Sequence, residues 1–137
     1  MIISFTGTQV GMTDKQKGEL RNRLKELRPL LFVHGGCVGA DDEADAIAAS
    51  EGIDRLIIVG PYGPKRVLDL KWQNRGSNFI IKDFKVASPL KRNPIIVRAG
   101  VRLIACPQQM KEIIRSGTWT TVRIARRLGK DVEVIEP

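Results

Sequence analysis

The sequence has few of the residues that cross-link a chain or ligate a metal. It contains two cysteines, Cys37 and Cys106, which are far apart in the chain, and one histidine, His34. Two such cysteines provide neither a disulfide framework nor a C-x-x-C motif, and one histidine does not give the spacing of a zinc site. The sequence therefore predicts no metal site and no bound cofactor. It favours a reducing, cytoplasmic setting.

Long apolar runs are also missing. No segment approaches the ~20 consecutive apolar residues that cross a membrane, and residues 1–5 lack the basic region and the long apolar core of a signal peptide. A chain of 137 residues with 42% hydrophobic residues is typical of one soluble domain. We therefore expect a single domain over residues 1–137 without membrane contact. Periodicity fails at about 60–90, which predicts an irregular insertion. Tyr62 and Trp72 within it are available to stack on a base or to seal a pocket, and for Trp72 packing at the edge of the core is the alternative.

The sequence has fewer acidic than basic residues. The 23 Lys and Arg residues outnumber the 15 Asp and Glu residues, which gives a formal net charge of +8. This excess favours an anionic partner, such as a nucleotide, a phosphorylated metabolite or a nucleic acid. Six basic residues surround the leucine stripe of the first predicted helix: Lys15, Lys17, Arg21, Arg23, Lys25 and Arg28. No aromatic residue interleaves them, so we expect a solvated face here rather than a surface for single-stranded nucleic acid.

Short apolar runs alternate with segments of helical spacing along the chain. Strands are predicted at 2–5, 30–33, 55–59, 101–105 and 132–135. Helices are predicted after the capping-box pattern at Thr13, over 40–50, from Pro94 and from about Thr118. Such alternation implies right-handed parallel crossovers. The predicted fold is α/β: a single Rossmann-like three-layer domain with a mostly parallel sheet of about five strands.

Three polar or glycine-rich turns each follow a predicted strand. They are Gly7-Thr8, the run 34–41 (His-Gly-Gly-Cys-Val-Gly-Ala-Asp) and the run 116–119 (Ser-Gly-Thr-Trp). The carboxyl ends of parallel strands meet at one edge of a sheet, so we expect these turns to converge there around a ligand. Glycine lets a ligand approach the backbone closely, and a helix start offers unpaired N–H groups to a phosphate.

Four residues near these turns carry the expected chemistry. Asp41 lies at the start of the second predicted helix, where it either caps the helix or holds a ligand hydroxyl. His34 either contacts a ligand, acts as a general base, or fastens its turn by bonding to the backbone. Arg92 and Asn93 lie at the mouth of a helix that Pro94 begins, where they are placed to clamp a phosphate or a sugar.

These motifs resemble the SLOG superfamily, and within it the small stand-alone branch related to YspA and YpsA. The resemblance rests on His34-Gly35-Gly36-x-x-Gly39-Ala40-Asp41, on Arg92-Asn93, and on Gly117-Thr118 before the last helix. Relatives include the LOG phosphoribohydrolases and DNA-processing protein A. The predicted ligand-binding residues are Gly7, Thr8, His34, Gly35, Gly36, Gly39, Asp41, Arg92, Asn93, Ser116, Gly117, Thr118 and Trp119.

The resemblance implies a domain that binds a nucleotide or a nucleotide-derived small molecule, often as a homo-oligomer. It places phosphate on Gly117-Thr118, and ribose and base towards the first two turns and Arg92. LOG enzymes hydrolyse a nucleoside monophosphate with an Arg and with a Glu just after the Gly-Thr turn. Here no Glu occurs over 119–122. We therefore expect a sensor or sequestering protein, with two alternatives: a LOG-type hydrolase with Asp41 and Arg92 as catalytic residues, or a single-stranded DNA-binding accessory protein.

Overall fold

A parallel sheet runs through the part of the chain that the computed structural model describes, residues 1–59, 75–83 and 89–137. Its six strands are β1 (Ile2–Gly7), β2 (Leu31–His34), β3 (Arg55–Val59), β4 (Phe79–Asp83), β5 (Arg102–Cys106) and β6 (Asp131–Val134). They lie in the order β4-β3-β2-β1-β5-β6, and every neighbouring pair is parallel. In chain order, β2, β3 and β4 are added on one side of β1, and β5 and β6 are then added on its other side. The switch between the two directions therefore lies between β1 and β5.

Helices cover both faces of the sheet. They are α1 (Asp14–Leu27), α2 (Ala40–Ser50), α3 (Pro89–Ala99) and α4 (Gly117–Arg127). Helices α1 and α2 pack together over one face, where Leu20, Leu24 and Ile47 meet Phe5 and Phe32. Helices α3 and α4 contact each other and pack on the strands from the other side. The three-layer α/β prediction is confirmed.

Successive side chains of each central strand point to opposite faces of the sheet, so one strand contributes to the packing on both faces. In β1, Ile3 and Phe5 join the core under α1 and α2, whereas the hydroxyl of Ser4, between them, donates to the Ile96 carbonyl of α3. In β5, Ile104 faces α1 and α2 while its neighbours Leu103 and Ala105 face α3 and α4. Strands that are buried on both faces have nearly continuous apolar sequences. For this reason the central strands could be predicted from the sequence.

The sheet contains one strand more than the sequence predicted. Strand β4 lies within the stretch at about 60–90 that we interpreted as irregular, and its residues are only half-buried or exposed. A half-buried strand at the side of a sheet lacks the continuous apolar run of the central ones. Residues 60–74 and 84–88, which include Tyr62 and Trp72, lie outside the described residues.

Helix α3 begins earlier than its sequence indicated. Pro89, rather than Pro94, occupies the first helical position, where proline's fixed φ suits the helix and its missing N–H costs nothing. Pro94 lies in the second turn instead, so Arg92 and Asn93 are helical residues on α3. Their side chains are thus carried by a regular element, which positions them more rigidly than a loop.

The start of α2 packs directly on the loop after β1. Gly39, the N-cap of α2, has φ +82°, and a Cβ at this position would collide with the backbone of Gln9. Gly7 is similarly tight, because a Cβ there would collide with the Ala40 side chain. The carbonyl of Thr8 accepts hydrogen bonds from Ala40 (2.9 Å) and Gly11 (3.2 Å). These glycines let two turns at the carboxyl edge of the sheet touch.

Replacing Gly39 with alanine should destabilise the protein by more than about 1 kcal/mol, because positive φ and the collision with Gln9 penalise any Cβ. Gly18→Ala is the matched control, since a Cβ at Gly18 on α1 meets nothing within 4 Å. It should stabilise by ~0.5–1 kcal/mol, as expected for alanine in a helix interior. Urea unfolding of both variants measures the difference. Equal stability of the two variants would contradict this role of Gly39.

Candidate functional site

A cavity of about 440 Å³ opens at the carboxyl edge of the sheet, at the switch between β1 and β5. Its walls are the segments after β1, β2 and β5 and the first turns of α2, α3 and α4. The predicted site residues that line it are Gly7, Thr8, Asp41, Arg92, Asn93, Ser116, Gly117, Thr118 and Trp119. Pockets that hold small ligands have this size and this position in open α/β folds.

The N-terminus of α4 forms one wall. Ser116 is the N-cap, and its hydroxyl accepts a hydrogen bond from the Trp119 N–H (3.3 Å). Gly117 and Thr118 occupy the first two helical positions, so their N–H groups have no intrahelical acceptor. No acidic residue lies in this first turn. The wall therefore presents two backbone donors, the Thr118 side chain and the positive end of a helix dipole.

The loop between β5 and α4 is tied to α4 by side chains. The indole N–H of Trp119 donates to the Gln109 carbonyl (3.1 Å), and only 3% of the Trp119 surface is exposed. Further along α4, Arg123 donates to the Ile114 carbonyl (3.0 Å) and Arg126 pairs with Glu112 (3.1 Å). These bonds hold the loop against the cavity.

Arg92 lies between the second turn and the cavity. Its guanidinium donates to the Gly35 carbonyl (3.2 Å) and contacts the Cys37 sulfur (3.4 Å). A Cβ at Gly35 would lie 2.8 Å from the Arg92 Cζ, so the guanidinium would have to shift if Gly35 were replaced. Among the residues that the structure describes, Arg92 Nε is buried without a hydrogen-bond partner. A buried unpaired donor on a cation is costly, and a ligand in the cavity would reach Nε only after a shift of the Arg92 side chain.

Asp41 is a nearly buried carboxylate, 7% exposed, in the first turn of α2. It is not the N-cap of the helix, which is Gly39 and makes no side-chain cap bond. Instead it accepts a hydrogen bond from the Cys37 N–H (3.2 Å). Burial raises the pKa of Asp41, and the neighbouring His34 ring and Arg92 guanidinium oppose that rise. Asp41 thus retains capacity to accept a hydrogen bond from a ligand.

His34 lies beneath the cavity rather than on its wall. Its ring Nδ1 accepts a hydrogen bond from the Gly36 N–H (3.0 Å), so Nε2 carries the proton and donates to Asp45 (2.8 Å). The side chains of His34 and Asp45 are fully buried. Of the roles considered for His34, fastening the turn is the one that these bonds describe. Gly35 and Gly36 lie in the same turn and do not line the cavity either.

Asp45 contacts three basic side chains. Besides His34, it pairs with Arg55 (3.1 Å) at the start of β3 and with Arg75 (3.0 Å). Burial by itself would raise the pKa of Asp45, but the hydrogen bonds from His34 and Arg55, with the positive charge of Arg55, lower it. Arg75 also pairs with Asp42 (2.7 Å). This group, His34-Asp45-Arg55-Arg75, joins the second turn to α2, β3 and the segment before β4.

Several lining residues escaped the sequence analysis. They are Thr6, Gln9, Val10, Cys37, Gln108, Gln109, Ile113 and Arg115. Gln108 and Gln109 follow a predicted strand, so the rule that placed the other turns at the carboxyl edge also applies to them. Cys37 is half-buried, and burial, followed by the charge of Asp41, raises its pKa, while burial raises the pKa of Cys106 to about 12. Both therefore favour the thiol over the reactive thiolate.

The described residues contain neither a cluster of metal-ligating side chains nor a helix suited to span a membrane. No three His, Cys, Asp or Glu side chains come together as metal ligands within residues 1–59, 75–83 and 89–137. In the same part of the chain, no helix combines the length and the apolar character that a membrane span requires.

Similar proteins were found by structure and not by sequence. No protein-family model and no curated protein matches the chain. The molybdenum cofactor binding protein from Rippkaea orientalis is similar with a TM-score of 0.68 and 21% identity, over 97% of this chain and 74% of that one. The chain shares the Rossmann-like fold of that protein.

Two further solved structures are similar in fold. DNA processing protein A from Helicobacter pylori, whose structure concerns its single-stranded DNA binding, has a TM-score of 0.70 and 18% identity over 98% of this chain. The chain spans only 64% of the length of that structure. The structural genomics target TM1055 has a TM-score of 0.62 and 15% identity, over 96% of this chain and 70% of that one. Identities this low establish the fold, and function must be argued from the site.

Asp41 and Asp45, both on α2, should affect stability with opposite signs. Asp45→Asn should cost about 3–5 kcal/mol near neutral pH, because it leaves buried cations without their counter-charge. The folded-state pKa of Asp45 lies below that of the unfolded chain, so its contribution exists above about pH 4 and fades as the pH falls through the folded-state value. The cost of Asp45→Asn should therefore shrink on acidification.

Asp41→Asn should instead stabilise the empty protein near neutral pH. The pKa of Asp41 is raised by folding, so its ionised form costs stability that disappears as the pH falls through the folded-state pKa. Urea unfolding of wild type and both variants between about pH 4 and pH 7 measures these differences. A loss of stability in Asp41→Asn comparable to that in Asp45→Asn would show that Asp41 serves mainly the fold.

Proposed function

We propose that the cavity binds a nucleotide or a nucleotide-derived small molecule, and that the protein senses or sequesters it. One observation carries the proposal. A helix N-terminus with two N–H groups lacking intrahelical acceptors, the nearly buried carboxylate of Asp41 and the basic side chain of Arg92 line the same cavity. A nucleotide offers the complement of each: an anionic phosphate, sugar hydroxyls, and further acceptors on its sugar and base.

The phosphate belongs on the first turn of α4. The N–H groups of Gly117 and Thr118 point out of the helix end, and a helix dipole favours an anion there. The Thr118 hydroxyl and the exposed Arg115 line the same end of the cavity. Arg115 adds the planar donor fork that suits phosphate oxygens. A Cβ at Gly117 meets nothing within 4 Å, so space remains for a ligand against that residue.

The sugar belongs beside Asp41. A carboxylate accepts hydrogen bonds from hydroxyls, and Asp41 lines the cavity near Arg92 and Asn93 on α3. Ribose hydroxyls can donate to Asp41 in addition to the Cys37 N–H, and ring or base acceptors can receive hydrogen bonds from the Arg92 guanidinium. The similar structures include one protein described as binding a cofactor. That likeness agrees with a small-ligand site in this fold.

Isothermal titration with a panel of nucleoside 5′-monophosphates tests the proposal. We expect at least one to bind, and Asp41→Asn to weaken that binding by about tenfold or more, since a buried charged hydrogen-bond acceptor contributes ~1.5–3 kcal/mol. Asp42→Asn is the matched control. It removes the same charge one residue further along α2, where Asp42 pairs with Arg75 and does not line the cavity.

Retention of wild-type affinity in Asp42→Asn together with loss in Asp41→Asn supports the assignment. Equal weakening in both variants would indicate a general effect of charge rather than a contact. No binding of any nucleotide by wild type would contradict the proposal.

Hydrolysis of the N-glycosidic bond is the second candidate function. The observation that favours it is the raised pKa of Asp41, because a carboxylic acid protonated nearer neutral pH is suited to protonate a leaving base. Asp41 would protonate the leaving base as its bond to the sugar breaks, water would attack the anomeric carbon, and Arg92 would hold the nucleotide beside them. No Glu follows the Gly-Thr turn, so this reaction would depend on Asp41 in place of that residue.

Release of free base distinguishes the two functions. Incubation of the protein with each nucleoside monophosphate, followed by chromatography, should yield the intact nucleotide if the protein only binds it. Free base from wild type and none from Asp41→Asn would establish the hydrolase instead. Base release by both proteins would exclude Asp41 as its catalytic acid.

A further inference from the structure

The side chains that line the cavity differ in chemistry with depth. Those that are almost completely buried form its floor, and four of them are polar: Thr8, Asp41, Asn93 and Thr118. Six other described side chains of the lining are exposed to solvent, and we call them the mouth: Gln9, Val10, Gln108, Gln109, Ile113 and Arg115. Apart from Arg115, the proposed phosphate and sugar positions use none of the mouth.

Two side chains of the mouth are aliphatic. Val10 is 75% exposed and lies in the loop after β1, whereas Ile113 is 38% exposed and lies in the loop between β5 and α4. Strands β1 and β5 pair along their length, so these two loops leave the same edge of the sheet side by side. A ligand that removes exposed apolar side chains from water gains free energy from doing so. A flat group that enters between the loops meets one aliphatic side chain from each.

Backbone hydrogen bonds fix both positions before a ligand binds. The Val10 N–H donates to the Thr8 hydroxyl (3.2 Å), and the Ser116 N–H donates to the Ile113 carbonyl (3.2 Å). Thr8 and Ser116 themselves line the cavity. Contacts made by the Val10 and Ile113 side chains therefore need little further ordering of the backbone, which is one of the costs of binding.

Three glutamines share the mouth with the aliphatic pair. The side-chain amides of Gln9, Gln108 and Gln109 make no hydrogen bond with any residue in the described ranges. Each amide offers both donors and an acceptor without carrying a charge. No carboxylate belongs to the mouth as the structure describes it. The mouth therefore combines apolar contacts with neutral hydrogen-bonding groups, unlike the floor, which contains the carboxylate of Asp41.

We infer that Val10 and Ile113 contact the faces of a nucleobase and that the three glutamines bind its edges. A base is flat and uncharged, with donors and acceptors around its edge. Proteins that hold an unpaired base use apolar side chains against its faces and hydrogen bonds at its edge. This inference rests on the proposed nucleotide site and names the residues that decide its selectivity.

Such a base subsite makes the protein prefer a nucleotide to the sugar phosphate that the nucleotide contains. Ribose 5-phosphate can occupy the phosphate and sugar positions, but it leaves Val10 and Ile113 in water. A nucleoside 5′-monophosphate covers these side chains as well, and burial of apolar surface is favourable. The difference in affinity between the two ligands therefore reports the mouth alone.

Isothermal titration of wild type, Val10→Ser and Ile113→Ser with both kinds of ligand tests the inference. We expect the best-bound nucleotide of the panel to bind wild type about tenfold or more tightly than ribose 5-phosphate. Each serine variant should weaken nucleotide binding about threefold or more, because apolar contact is lost, and should change binding of ribose 5-phosphate less than about twofold. Both side chains are exposed, so both variants should fold, and thermal unfolding checks this.

Ile114→Ser is the matched control. Ile114 is the neighbour of Ile113 in the same loop and is 84% exposed, but it does not line the cavity. Its replacement should leave both affinities unchanged. Alanine at Gln9, Gln108 and Gln109 together should reduce the differences in affinity among the bases of the panel, because amide hydrogen bonds distinguish one base edge from another.

Each contrary result has a distinct meaning. Equal affinity of wild type for nucleotide and ribose 5-phosphate would overturn the base subsite and leave the phosphate and sugar positions standing. Unchanged nucleotide affinity in both serine variants, or the same loss in Ile114→Ser, would overturn the assignment to Val10 and Ile113. Unchanged base preference in the glutamine variant would overturn the role of the amides. Failure of wild type to bind any nucleotide would contradict the proposed function itself, and the base subsite with it.

Discussion

The buried carboxylate of Asp45 is the interaction on which the rest of the structure depends. It lies in the middle of α2 with no exposed surface, and its partners come from three other parts of the chain: His34 at the end of β2, Arg55 on β3, and Arg75 before β4. Removing any partner would leave charge in the interior, which is far more costly than never having placed it there. The position of α2 relative to the sheet is therefore fixed. Asp41, one helical turn earlier, is held at the cavity as a consequence.

Asp41 and Asp45 on α2 therefore have different roles. Asp45 is satisfied by cations, and its pKa is lowered despite burial, whereas the pKa of Asp41 is raised by burial. Asp41 retains capacity to accept a further hydrogen bond in the empty cavity, which a ligand would use. On α1, by contrast, Lys15, Lys17 and Arg21 are already paired with Glu19, Glu43 and Glu51.

Much of this arrangement could be predicted from the sequence. Helix α2 and strand β3 have the predicted bounds, and the capping box at Thr13 is present, because apolar periodicity and caps are local signals. The cavity walls around Asp41, Arg92 and Gly117 followed from the rule that parallel strands end at one edge. Strand β4 was missed because a half-buried strand lacks a continuous apolar run. The role of His34 depended on Asp45, Arg55 and Arg75, and pairing between residues distant in sequence leaves no local signal.

The most direct test of the account is an NMR titration of the isotope-labelled protein with a nucleoside 5′-monophosphate. The proposed phosphate position predicts that the backbone amides of Gly117 and Thr118 shift most, because their N–H groups would donate to the phosphate. Titration with the corresponding nucleoside, which lacks the phosphate, should leave these two amides nearly unchanged. Saturation with nucleotide without a shift at Gly117 and Thr118 would contradict the central claim, as would equal shifts with nucleoside and nucleotide.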